Sequence, residues 1–88
     1  MSKIYTIPPL IYARLQIAEV FIADKDDPTT RIAFERLVKQ GIAEIDAKAF
    51  IGALIALGFA EMEQTGGGFE HEKYKERLSQ LPDLPFEI

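Results

Sequence analysis

The chain has no cysteine. That single absence removes thiol catalysis, thiolate zinc sites and disulfide scaffolds together, and it fits a reducing cytoplasm. His71 is the only histidine. It stands between Glu70 and Glu72 in a segment that reads as extended, where neighbours point to opposite faces and do not close on one ion. Ser2 and Ser79 sit near the chain ends, far from any recognisable nucleophile motif around that histidine. Gly66, Gly67 and Gly68 lack the Lys-Ser/Thr pair that completes a phosphate loop. The Asp24, Asp26 and Asp27 cluster is followed at once by Pro28 and a helix, which leaves no room for a twelve-residue calcium loop. Aligning the stretch 41–50 to the end of an EF-hand loop puts Val38, Gln40 and Ile42 at the first, third and fifth positions and Ala49 where a bidentate Glu belongs, so the calcium ligands are missing. Long apolar runs are missing as well. The longest, residues 7–23, is interrupted by Pro8, Pro9, Arg14, Gln16 and Glu19, too often for a membrane span. Nothing before it resembles a signal peptide. With no paired carboxylates singled out by spacing, the expectation is a protein that is not an enzyme and carries no cofactor and no metal.

What is present is 88 residues, 48% hydrophobic and 27% charged, enough for one small domain over 1–88 with a core across 9–80 and an extended tail at 81–88. A chain of this size buries only about 60–65% of its unfolded surface, so a deep internal cavity is not expected. Fourteen acidic against ten basic residues give a net charge of −4. Residues 1–40 carry six basic and five acidic groups and residues 41–88 carry four and nine, so the acidity lies in the second half. Such a balance repels phosphate backbones unless positive charge is locally concentrated.

Pro8 and Pro9 suit a first turn and predict a helix over 9–23. Asp27 ahead of Pro28 predicts a second over 28–40, with Gly41 as its left-handed stop. Asp46 reads as the cap of a third, 47–57, closed by Gly58. After Gly58 the stretch 59–64 alternates with a period of two, three glycines follow, and 69–71 resumes an extended pattern, which reads as a β-hairpin. The spacing of Tyr74, Leu78 and Leu81 predicts a fourth helix from Glu72 to just before Pro82. The tail with Leu84, Phe86 and Ile88 is extended and stiffened by proline, suited to docking on the first helix or on a partner.

Helical spacing puts Ala33, Phe34, Leu37 and Val38 on one side of the second helix, an ordinary surface helix. The first helix is apolar over more than half its circumference, which makes it either the central helix of the fold or a surface that pairs with a second copy or another protein. Arg14 falls inside that apolar arc, as a stem lying on the core or as an interface arginine awaiting a carboxylate. In the third helix Gly52 marks a close approach by another backbone.

The run Phe50-Ile-Gly-Ala-Leu-Ile-Ala-Leu-Gly-Phe-Ala-Glu-Met-Glu63, a leucine-bearing helix closed by Leu-Gly and followed by an apolar strand and a glycine-containing turn, resembles the winged helix-turn-helix family across residues 9–75. The resemblance implies a mainly α fold with a small β-hairpin, a winged-helix-like three-helix core plus a short C-terminal helix. In DNA-binding members the third helix reads base edges. Here only Lys48 offers such a contact, and the wing is flanked by Glu61, Glu63, Glu70 and Glu72. The leading expectation is therefore a small acidic protein–protein interaction module, a regulatory or inhibitory subunit in the cytoplasm. It would bind another protein or a second copy of itself through Arg14, Lys48, Ile51, Ile55, Glu61 and Glu63, with no role for a membrane. The alternative is a winged-helix DNA-binding regulator using Arg31, Arg36, Lys39 and Lys48.

Overall fold

The computed structural model describes residues 9–84, with side chains from Ala13 onward. Four helices follow one another: α1 (Pro9–Ile22), α2 (Thr29–Lys39), α3 (Glu44–Thr65) and α4 (His71–Gln80). Among the described residues there is no strand, so the expected β-hairpin and the winged-helix-like architecture built on it are overturned.

The correction turns on Gly58. It does not end the third helix, because α3 continues through it for seven further residues to Thr65. The segment Phe59-Ala-Glu-Met-Glu-Gln64 holds good helix formers and no β-branched residue before Thr65, so its local preference is helical despite the alternation. A glycine in mid-helix costs about 1 kcal/mol relative to alanine. Packing explains why it is tolerated: a Cβ at Gly58 would lie 2.5 Å from Cε2 of Phe69. The Phe69 ring uses the space the missing side chain leaves. It also packs edge-on against Phe59, His71 and Tyr74, at 5.7, 5.1 and 5.5 Å between centroids, and against Phe21 at 6.1 Å. The true stop is Gly66, in the left-handed conformation at φ 73°, whose amide donates to the Met62 carbonyl at 2.8 Å.

The other boundaries follow the expected chemistry with small shifts. Asp27 accepts the Thr29 amide at 3.1 Å and its hydroxyl at 2.6 Å, securing the entry to α2. Gly41, at φ 97°, closes α2 with the two bonds of a Schellman motif, Gly41 amide to Val38 carbonyl and Ile42 amide to Leu37 carbonyl. The third helix starts at Glu44, so Asp46 lies in its first turn rather than at its cap, where its charge favours the positive end of the helix.

The core consists of Ala18, Ala33, Leu37, Ala47, Ile51, Leu54, Ile55, Tyr74, Leu78 and Leu81. The largest share comes from α3, which packs on α1, α2 and α4. The central helix is therefore the third. α1 buries Ala18 completely but leaves Val20 63% exposed. It crosses α3 where Gly52 lacks a side chain: a Cβ there would collide with the carbonyl oxygen and carbon of Arg14, the latter at 2.7 Å. α4 is fastened at both ends. Thr30 and Tyr74 share a buried hydrogen bond of 2.6 Å, and Arg36 donates to the Leu78 and Leu81 carbonyls at 2.8 and 3.2 Å. Of the expected tail, Leu84 packs against the core, and Phe86 and Ile88 lie outside the described residues.

Candidate functional site

The crossing of α1 over α3 at Gly52 sets the position of Arg14. Its side chain borders two adjoining depressions on the outer face of the pair. One, of about 250 Å³, is lined by Ala13, Ile17, Ala56 and Phe59. The other, of about 260 Å³, is lined by Ala53, Ala56, Leu57 and Ala60. Apart from Arg14, both are lined by alanine, aliphatic and aromatic side chains. Phe59, on the rim, is 43% exposed. The Nε of Arg14 is buried and has no hydrogen-bond partner. A buried guanidinium donor without an acceptor costs about 1–3 kcal/mol or more.

The spacing of Ala53, Ala56, Ala60 and Glu63 is that of one helical stripe. Because α3 is continuous through Gly58, this stripe runs unbroken past Arg14 to the exposed Glu63. Among the described residues neither Arg14 nor Glu63 has an ion-pair partner.

The remaining residues singled out from sequence fall elsewhere. Ile51 and Ile55 are fully buried, so they belong to the core and are not contact residues. Lys48 is held 3.8 Å from Glu19 and sits 5.8 Å from the centroid of the Phe34 ring. Glu61 is not on a wing but on α3, where Arg77 grips both its oxygens at 2.8 and 3.0 Å. Those hydrogen bonds lower the Glu61 carboxyl below its ordinary value and raise the guanidinium. Arg36 is committed to main-chain carbonyls of the α4 end. Arg31 and Lys39 remain exposed on α2. Of the four cations expected to meet DNA, Arg36 and Lys48 are thus already engaged within the chain.

Two further features were not foreseen. Sequence reasoning has Ala13 and Ile17 in the apolar arc of the first helix and Ala56 on the small-residue side of the third, but it puts Phe59 and Ala60 in a strand. Their signal is the continuation of helical spacing past Gly58 to Glu63, hidden by the reading of Gly58 as a stop. Sequence reasoning also misses the Thr30–Tyr74 pair at the base of a cleft of about 580 Å³ between α1, α2 and α4. Burial pushes the Tyr74 hydroxyl up to about 12. The carboxylates at this cleft are engaged locally, Asp24 by the Asp26 amide and Asp27 by Thr29, whose hydroxyl and amide lower the Asp27 carboxyl. Among the described residues no three His, Cys, Asp or Glu side chains are placed to hold a metal ion. No described helix is long and apolar enough to cross a membrane. No protein-family model, curated protein or solved structure matches the chain.

Proposed function

We propose that this chain is a small protein-interaction module, non-enzymatic and serving as a regulatory or inhibitory subunit, whose docking surface is the outer face of α1 and α3 around Arg14. The observation that carries the reading is the apolar lining of the two adjoining depressions beside Arg14, with Phe59 exposed on their rim. A half-buried guanidinium donates to carboxylates through its outer N–H groups. A partner that brings an acidic side chain surrounded by small apolar residues would pair with that charge and cover the alanines in one step, which is how an interface anchor works. The lack of thiols suits a cytoplasmic setting for such a module.

The test is site-specific photo-crosslinking in cells with benzoylphenylalanine at Ala60, which is exposed beside Arg14, and at Ser79, exposed on α4. A defined adduct is expected from position 60, lost when Arg14→Glu is combined with it, and absent from position 79. Equal labelling at both positions, or an adduct indifferent to Arg14, would defeat the reading.

A further inference from the structure

We infer that the open cleft of about 580 Å³ between α1, α2 and α4 binds a small organic ammonium ion that carries a neutral oxygen beside its charge and an apolar body. The cleft shares no lining residue with the depressions beside Arg14, so this site stands apart from the docking surface proposed above.

At the base of the cleft the hydroxyls of Thr30 and Tyr74 bring two hydrogens and share one hydrogen bond, at 2.6 Å. Whichever oxygen donates, the hydrogen on the other has no acceptor among the described residues. Both residues line the cleft, and they are only 3% and 5% exposed. Burial, with a smaller contribution from the Asp27 charge, holds the Tyr74 hydroxyl in its neutral form, so the spare hydrogen is not lost to ionisation. A ligand that completes this base presents a hydrogen-bond acceptor.

The rim decides the charge. Asp24 and Asp27, on the loop between α1 and α2, both border the cleft. The Asp26 amide holds Oδ1 of Asp24 at 2.9 Å, and the amide and hydroxyl of Thr29 hold Oδ1 of Asp27 at 3.1 and 2.6 Å. In each carboxylate Oδ2 is left without a donor, and neither group has an ion-pair partner among the described residues. Two such charges repel an anionic acceptor and attract a cation. The acceptor at the base is therefore a neutral oxygen, and the group at the rim is an ammonium, whose three N–H donors suit the free oxygens. An organic cation fits better than a metal ion, because no three His, Cys, Asp or Glu side chains are grouped among the described residues. The walls are apolar. Val20 is 63% exposed, and the Phe21 and Tyr74 rings meet edge-on at 5.8 Å, which leaves hydrophobic surface for the body of the ligand to cover. The volume falls within the range of about 300–1,000 Å³ common to small-molecule sites.

Phenylalaninol has these parts: an ammonium at neutral pH, a neighbouring hydroxyl oxygen and a phenyl ring. Titrated into the intact protein, it should shift the NMR amide signals of Asp24, Thr30 and Tyr74 with a dissociation constant of about 1 mM. Three analogues each change one part. N-acetylphenylalaninol has no charge, phenylalanine puts a carboxylate where the alcohol stands, and phenylethylamine has no oxygen. Each should bind about 10-fold more weakly. Asp24→Asn, at an exposed position and with the Oδ1 acceptor kept, should weaken phenylalaninol about 10-fold and leave N-acetylphenylalaninol unchanged. Thr30→Val combined with Tyr74→Phe removes both hydroxyls, and should bring phenylalaninol down to the strength of phenylethylamine without altering phenylethylamine itself. Should that pair of changes prevent folding, Asp24→Asn decides alone. Absence of cleft shifts at about 10 mM phenylalaninol, an analogue that binds as tightly, or undiminished binding by either folded variant would overturn the site.

Discussion

Replacing Gly52 by alanine tests the placement of Arg14 directly. On helix propensity alone the change stabilises α3 by about 1 kcal/mol. In the folded protein the new methyl would collide with the Arg14 carbonyl oxygen and lie 2.7 Å from the carbonyl carbon. These are backbone atoms of α1, so no rotamer change relieves the clash and the helix itself must lift. Overpacking of that kind costs about 1–3 kcal/mol. With two backbone atoms inside contact distance the upper figure applies, and subtracting the propensity gain leaves a net loss of about 2 kcal/mol. For a domain of this size that lowers the melting temperature by roughly 10 °C. Gly68→Ala is the matched control, since nothing lies within 4 Å of its added Cβ and its φ is not in the left-handed region. Its stability should stay within about 0.5 kcal/mol of the native protein. The assay is urea unfolding followed by circular dichroism, with the slope checked for constancy. A Gly52→Ala protein more stable than native by the propensity increment would show that α1 does not cross there, and the placement of Arg14 would fall with it.

Three other outcomes follow from the packing and the hydrogen bonds. Gly58→Ala drives a methyl into the Phe69 ring and should cost about 1–3 kcal/mol, and Phe69→Leu in the same chain should recover part of that in a double-mutant cycle. Tyr74→Phe leaves the Thr30 hydroxyl buried without its partner, at about 1–3 kcal/mol, and adding Thr30→Val should restore most of it. Because the Tyr74 hydroxyl is raised from 10.0 to about 12, its neutral form is favoured in the fold, and its contribution is complete below pH 10 and lost as the pH climbs towards 12. Absorbance titration should show one of the three tyrosines ionising last. The lowered carboxyls of Glu61 and Asp27 act in the opposite sense, contributing above their ordinary values of 4.5 and 3.8 and losing that contribution as the pH falls through and below them. Glu61→Gln should therefore flatten the acid limb of the stability profile.

The parts of the fold that could be read from sequence are those in which one residue type has one use. Gly41 after an amphipathic helix and Asp27 before Pro28 mark ends by local chemistry, and α2 appears where they put it. The spacing of Tyr74 and Leu78 gives α4 for the same reason. Gly58 has two uses. A glycine after Leu57 looks the same whether it ends a helix or clears space for a ring, and only the arrival of Phe69 from eleven residues downstream decides between them. The six residues after it fit a period of two as well as a helix, an ambiguity that short windows always carry. The same ambiguity puts Glu63 on a wing in the sequence reading. Arg14 is legible as a cation inside an apolar arc, whereas Ile51 and Ile55, expected at a contact surface, point into the core, because helix three has apolar residues on more than one side and the sequence does not say which side is covered.

The described cations differ in what already occupies them, which bears on the proposed choice of a protein partner over a polyanion. Lys48 is shared between Glu19 and the Phe34 ring, and Arg36 between two main-chain carbonyls. Arg31 and Lys39, exposed eight residues apart, stand about 12 Å from each other along α2. Two separated charges neutralise few phosphates, and the net charge of −4 opposes even that. Among the described cations Arg14 alone lies in a surrounding of methyl groups, where a carboxylate is attracted more strongly than at a wet surface. The position of Glu63 on this face depends on helix phase. If α3 ended at Gly58, Glu63 would leave the stripe that passes Arg14. With the helix continuous, five residues from Gly58 to Glu63 carry that carboxylate onto the stripe of Ala53, Ala56 and Ala60. The Phe69 ring that fills the gap at Gly58 is in this way also what gives the outer face its second charge.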